Sequence, residues 1–380
     1  MRIGTILVTS NPFLDTAIRK ACSQKIKINI LETVSNSQDL LNLIPNLKPK
    51  VIIISDDLEE SPFKVIIDIM NTTPTPCLFI HSGISRDFVS DYEYALDYGI
   101  VDTLEIELLG NKLRSSSIIP IRIGILGKLN LQRFISQIDQ VNTLKSKIKS
   151  TPVSKKIKKP KHTSEKKEKI FRPSILKTYS HSNMDKNSIV VIGASTGGPK
   201  MIVDLISQLP EKFPPVLVVQ HMPEGFLEAY AARIDNYSNL KSQVAKEGDE
   251  IKSNNVYVAP GGRHLVIKRT TGGRTVIQTP RTEKVNFVRP SVDVTLKSVS
   301  PIFRNKTIAV ILTGMGVDGR AGCEKVKEFG GKVIALNEED SLIFGMNKSV
   351  IEANLTDVVL SAEAIPIQLF HWLFNNEKEV

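Results

Sequence analysis

Short apolar runs recur along the chain, and between them lie stretches whose apolar residues fall every three or four positions. The runs Gly4–Val8, Ile28–Val34, Val51–Ser55, Cys77–His81 and Ile100–Leu104 read as strands. Patterns such as "FLDTAIRKAC" and "SQDLLNLIPNL" between them read as helices. Five strands at this spacing predict a doubly wound parallel sheet covered by helices on both faces. Leu108–Lys128 fits less simply: "SSSIIPIRIGIL" is an extra strand or an insertion before a last helix, "NLQRFISQIDQV".

Further along, the alternation resumes. Strands are expected at Ser188–Gly193, Pro215–Gln220, Asn255–Ala259, His264–Lys268, Thr307–Thr313, Lys332–Leu336 and Asp357–Leu360. Helical patterns fall at Pro199–Leu209, Gly225–Ile234, Ser291–Ser300, Gly319–Phe329 and Lys348–Ala353. The fold class is therefore α/β, with two three-layer units of which the second is the larger. Residues 1–138 form the first, 139–187 a connecting segment, and 188–380 the second.

Charge separates that connector from the rest. The chain of 380 residues carries a formal net charge of +10. Between Val141 and Asn187, 14 lysines and arginines face 3 acids, so this stretch alone holds +11 and the remainder sums to −1. Its apolar content is too low to offset the entropy of ordering, which predicts a self-repelling tether. The basicity is thus not a folded nucleic-acid-binding face, and no nucleic-acid partner is expected. No run reaches the roughly 18 apolar residues of a membrane span, and "MRIGTILVTSNPF" lacks a signal-peptide layout, so the expected location is cytoplasmic. Cys22, Cys77 and Cys323 are far apart and unpaired in spacing, which favours reduced thiols over metal ligands.

Chemistry concentrates in the second unit. Gly193-Ala194-Ser195-Thr196-Gly197 satisfies the glycine-x-serine-x-glycine pattern of a nucleophile on a strand-to-helix turn. A structural turn serine would look the same in so short a motif. A dinucleotide fingerprint would need glycine at Ser195, and a nucleotide-triphosphatase loop would need a glycine-lysine-serine/threonine ending. A nucleophilic serine needs a base. His162 and His181 lie in the basic segment, His371 in "FHWLF" near the end, His81 in the other unit, and His264 at a strand start. His221 ends the apolar strand "PVLVVQ" and opens the loop "HMPEGF". Asp318, in "GMGVDGR" beyond the strand "TIAVILT", occupies the same kind of position, where open α/β sheets bind ligands. The chain order Ser…His…Asp differs from that of the α/β-hydrolase superfamily.

In order and spacing, "VIGASTGGPK", "VVQHMPEGF", "VYVAPGGRHLVI", "RPSVDVTLKSV", "ILTGMGVDGRAG" and "FGMNKSVIEA" resemble the catalytic domain of chemotaxis protein-glutamate methylesterases. The resemblance spans roughly Ser188 to Leu360. It implies hydrolysis of glutamate methyl esters on chemoreceptor helices, with many members also deamidating receptor glutamines. Ser195 would be the nucleophile, His221 the base and acid, and Asp318 the orienting acid. Thr196 and Met315, with Gly197 and Gly314 beside them, would line the oxyanion site. No cofactor or metal is implied, and the partners would be methylated chemoreceptors with chemotaxis kinase or array proteins. Val288 stands where the family often has histidine.

The resemblance also implies a response-regulator receiver of flavodoxin-like fold at the N-terminus, with "LKPKVIII" and "TPCLFI" as its third and fourth strands. Its phosphotransfer residues are missing. Thr9 and Ser10 replace the acidic metal-binding pair, Ser55 falls at the phospho-acceptor with Asp56 and Asp57 after it, and Ile106 replaces the lysine. The expectation is a receiver that takes no phosphate. Two other functions compete with the esterase: a catalytically silent chemotaxis adaptor, and a nucleotide-binding domain at the Ser195 turn.

Overall fold

Val51–Ser55 and Cys77–His81 are buried at every position, as strands covered on both faces must be. They are β3 and β4 of a five-stranded sheet with β1 (Ile3–Val8), β2 (Ile28–Val34) and β5 (Val101–Glu105). The order is β2-β1-β3-β4-β5, and every pairing is parallel. This is the flavodoxin-like doubly wound arrangement. Helices α1 (Pro12–Ser23), α2 (Ser37–Leu47) and α3 (Pro62–Thr72) make the crossovers. The computed structural model describes residues 2–23, 28–82, 101–106, 108–109, 112–113, 117–129, 185, 187–222 and 224–374. Residues 130–141, expected as a helix, and nearly all of the basic connector lie outside the described residues.

Leu108–Lys128 resolves into two short strands, β6 (Leu108–Leu109) and β7 (Lys112–Leu113), and a helix, α4 (Ile118–Leu126). The helix is apolar almost all round, so no polar stripe betrays its period, and strand and helix cannot be told apart from the sequence. Ile119, Ile123 and Leu126 on one side are buried, while Ile121 is exposed.

The second sheet has seven strands in the order β10-β11-β9-β8-β14-β15-β16, all parallel. They are β8 (Ile189–Ala194), β9 (Val216–Gln220), β10 (Lys241–Val244), β11 (Asn255–Val258), β14 (Thr307–Ile311), β15 (Lys332–Leu336) and β16 (Val358–Leu360). An antiparallel hairpin, β12 (Val266–Arg269) with β13 (Thr275–Gln278), is inserted between β11 and β14. The helices are α5 (Gly198–Ser207), α6 (Leu227–Tyr237), α7 (Val292–Phe303), α8 (Arg320–Glu328), α9 (Met346–Glu352) and α10 (Ala364–Phe374). Strand β10, "KSQV", was not expected, because this edge strand buries no side chain fully and so carries no apolar run. No helix among the described residues is long and apolar enough to cross a membrane.

Strand order sets where a site can form. From β8 the chain winds outward through β9 on one side and later returns to β14 on the other. The switch point therefore opens between the carboxyl ends of β8 and β14. The two units also touch near this edge. Phe63 of α3 packs edge-on against Phe226, in the loop after His221, with ring centroids 5.1 Å apart and both side chains fully buried.

Candidate active site

Strands β9, β8 and β14 lie side by side, and each ends in one of the three residues singled out above. Ser195 follows β8 directly, His221 follows β9 directly, and Asp318 lies in the loop after β14. Parallel pairing in register brings these ends together, with Gly193 opposite Val219 and Ala194 opposite Gln220. The His221 amide donates to Ala194 O at 3.1 Å, and the Ser195 amide donates to Thr313 O at 3.0 Å. Gln220 Nε2 ties the two turns together by donating to Ser195 O at 2.9 Å and His221 O at 3.1 Å.

His221 Nε2 lies 2.9 Å from Asp318 Oδ2. Asp318 is 2 % exposed, and a charge so buried needs compensation. Ser291 Oγ donates to its Oδ1 at 2.7 Å, and the Val292 amide to its Oδ2 at 2.7 Å. Burial pushes the Asp318 carboxyl up, but the bonds from His221, Ser291 and Val292 outweigh it and hold the group below the usual carboxylate range. Neighbouring Asp293 goes the other way, raised by burial and then by the charge of Asp318. Its Oδ1 accepts from the Gly319 and Gly322 amides at 2.9 and 2.7 Å. With Nε2 turned to Asp318, the remaining ring nitrogen of His221 is Nδ1. Among the described residues, no hydrogen bond joins Ser195 Oγ to His221; such contacts commonly tighten only around substrate.

Two glycines make the turn at Ser195 possible. Gly197 caps α5 with φ of +81°, a left-handed conformation that glycine adopts without a Cβ penalty. Gly314 lies against Ser195: a Cβ there would fall 2.7 Å from Ser195 Cβ and 2.5 Å from Met346 Sδ. Its amide donates to Ile343 O at 3.0 Å, so Gly314 is a spacing residue and not a free donor for an oxyanion. The amides of Thr196 and Met315 meet no acceptor among the described residues, which leaves them available to a ligand oxygen. Thr196 Oγ1 is engaged across the unit boundary, donating to Asp102 Oδ1 at 2.7 Å. His264 is buried in a different role, its Nε2 2.9 Å from Glu283 O.

Sequence reasoning missed Ser291, Asn286, Gln220 and Asp102. The serine lies in the quoted "RPSVD" run, but a hydroxyl serving a carboxylate 27 positions away leaves no local pattern. Asp102 comes from the other unit altogether.

At the receiver-like edge, Ser55 ends β3, and its Oγ donates to Val8 O at 3.0 Å. The carboxylate that reaches Ser55 is that of Asp57, to which Thr9 Oγ1 also donates at 2.7 Å. Asp56, singled out from the sequence as the neighbour, turns instead to Ser82, accepting from its amide at 2.8 Å. One carboxylate among neutral hydroxyls does not suit a magnesium ion, which wants several oxygen ligands with charge among them. Among the described residues, no cluster of three or more potential metal ligands forms.

A serine, a histidine and a buried acid lie at the switch point of a parallel sheet, an arrangement that suits a hydrolase built on an α/β fold. The CheB methylesterase family model matches residues 190–369. The protein-glutamate methylesterase/protein-glutamine glutaminase of Methanococcus maripaludis is 31% identical over 373 residues, covering 97% of each chain. The protein of the same description from Thermotoga maritima is 46% identical over 201 residues, 53% of this chain and 58% of that one. The crystal structure of the Thermotoga maritima CheB methylesterase catalytic domain matches at 48% identity and a TM-score of 0.48, covering 49% of this chain and 98% of that one. The chain belongs to the protein-glutamate methylesterase/protein-glutamine glutaminase family.

Gly314→Ala is expected to lower stability by about 1–3 kcal/mol through overpacking. Displacing Ser195 by even a fraction of an ångström should also cut turnover, roughly 100-fold for a full 1 Å. Denaturant midpoints and steady-state ester hydrolysis read the two effects, and unchanged turnover would contradict the contact. Asp318 gives a pH test. Its folded-state pKa is depressed, so its stabilisation is present above the ordinary carboxylate range and is lost as the pH falls through the folded value. The stability gap between wild type and Asp318→Asn should be widest near neutrality and close as the pH drops below about 4. Urea midpoints measured across that range check it.

Proposed function

We propose that this protein hydrolyses glutamate methyl esters on the cytoplasmic helices of chemoreceptors, using Ser195, His221 and Asp318. The observation that carries this reading is the His221–Asp318 hydrogen bond at the same sheet edge that presents Ser195. Ser195 Oγ attacks the ester carbonyl while His221 takes its proton, so that a carbon–oxygen bond forms and the carbonyl electrons move onto oxygen. The Thr196 and Met315 amides receive that oxyanion. Collapse expels the methoxide, which leaves as methanol with the proton held by His221, and an acyl-enzyme remains on Ser195. Water, deprotonated by His221, then attacks the acyl group; the carbon–Oγ bond breaks, His221 returns the proton to Ser195 Oγ, and the glutamate carboxylate is released. A glutamine side chain would follow the same course with ammonia leaving. Asp318, kept ionised, holds the imidazole in orientation and stabilises its cationic form.

The proposal extends to regulation. Receiver-like residues 1–138 take no phosphate, because the acceptor position is Ser55, the metal pair is replaced by Thr9 and Ser10, and the lysine position is the buried Ile106. Asp57 supports this reading, since its carboxylate is already engaged by the Ser55 and Thr9 hydroxyls. The tether at 139–187 joins the units, and chemotaxis kinase or array proteins are the candidate partners of the first.

Purified Ser195→Ala and His221→Ala should each lose on the order of 10⁶-fold in methanol release from methylated receptor membranes, and Asp318→Ala less. Near-wild-type release by both Ser195→Ala and His221→Ala would rule the mechanism out. With acetyl phosphate and magnesium, the wild-type protein should incorporate no phosphate, because phosphoryl transfer depends on positioning and metal-assisted charge neutralisation. Incorporation that survives Ser55→Ala but is lost in Asp56→Ala or Asp57→Ala would show a working, shifted acceptor.

A further inference from the structure

Next to the acid lies a turn that few sequences would build. Val285 and Val288 pair with each other through both backbone bonds, at 3.1 and 3.0 Å, so Asn286 and Phe287 form a two-residue turn. Both have positive φ, 53° and 66°. Such a turn normally carries asparagine followed by glycine, because a bulky residue in the left-handed region is strained. Phe287 does not repay that strain by packing, since it is 76 % exposed. The side chain that turns to the acids is that of Asn286, a residue that is itself exposed to solvent. Its Nδ2 donates to Asp293 Oδ2 at 2.8 Å and to Asp318 Oδ1 at 3.2 Å. Among the described residues, no other side chain is bonded to both carboxylates.

We infer that Asn286 is a positioning residue for the esterase reaction, its amide bridging Asp293 and Asp318 so that Asp318 stays ionised and turned toward His221. The inference rests on the proposed roles of His221 and Asp318. Two buried carboxylates side by side repel, and the pair relaxes either by taking up a proton or by swinging apart. Either change spoils the support of His221. A neutral amide giving one hydrogen to each removes the need for that proton. The other groups facing the pair are His221 from the β9 end, the Ser291 hydroxyl and Val292 amide at the start of α7, and Cys323 of α8. Lys297 of α7 adds its charge to Asp293 from further off. None of these is hydrogen-bonded to both acids. The left-handed turn is then explained: it is the backbone shape that aims the Asn286 amide at the two acids, and the exposed Phe287 is tolerated for its sake.

Three variants of the full chain test this by methanol release from methylated receptor membranes, with thermal midpoints in parallel. Asn286→Gly keeps the positive-φ turn and deletes the amide. It should lower kcat roughly ten- to hundredfold with little change in KM or thermal midpoint. Asn286→Asp places a third carboxylate beside the pair, and its activity relative to wild type should rise as the pH falls, since its protonated form can donate one hydrogen. Phe287→Gly relieves the strain, keeps the amide and should retain wild-type kcat. The inference is overturned if Asn286→Gly has wild-type kcat at every pH. It is equally overturned if Asn286→Gly and Phe287→Gly lose activity and thermal midpoint together, which marks a merely structural turn. Ser195→Ala and His221→Ala separate the two levels. If they are inactive while Asn286→Gly is normal, only the role of Asn286 falls; if they are active, the triad falls with it.

Discussion

A carboxylate that is 2 % exposed can remain charged only if donors replace the water it has lost, and Asp318 has five. They are the His221 ring, the Ser291 hydroxyl, the Asn286 amide and the backbone amides of Val292 and Asp293. Most of the second unit's architecture converges on that requirement. Helix α7 begins where its first amides point at Asp318, so the positive end of the helix faces the negative charge. The loop after β14 turns through Gly316 and Gly319, both at positive φ, before α8 begins. Val292 in turn packs against Gly193 so closely that a Cβ on that glycine would come within 2.7 Å of it. Central strand, acid and helix start are thus one packed assembly.

The neighbouring acid shows how narrow this balance is. Asp293 and Asp318 have separate backbone amide donors, yet burial and mutual repulsion raise the first while specific bonds lower the second. Environments that push two carboxyls apart in this way divide their labour: one can serve as a permanent charge, and the other is left to brace the helix start through Gly319 and Gly322.

The first unit is not a bystander in this geometry. Asp102, at the second position of β5, accepts from Thr196 and from Arg122, placing a receiver-like carboxylate one residue from Ser195. Glu105 pairs with Lys284 at 2.9 Å, and that bond lowers its pKa. These contacts cluster on β5 and reach both the Ser195 turn and the segment before Asn286. Away from these contacts, the Ser55 and Thr9 hydroxyls bond to the Asp57 carboxylate, and Ser55 also bonds to the Val8 carbonyl.

Much of this was legible in the residues. Continuous apolar runs such as "VIIIS" and "VLVVQ" mark strands covered on both faces, because no other setting hides every side chain of a strand. Their alternation with helices is enough for two doubly wound sheets, and each chemical residue is found by its place just beyond such a run. Polar edge strand β10 and the almost wholly apolar α4 escaped, since each lacks the contrast that reveals a period. What only the tertiary structure decided are the partnerships: Asp57 and not Asp56 at Ser55, Gly314 as a spacer, Asn286 between two acids, and Asp102 on Thr196. Hydrophobic patterning is a local property, repeated at every turn of helix or strand. A hydrogen bond between residues 94 positions apart is set by how two sheets and their loops meet, and no local pattern encodes it.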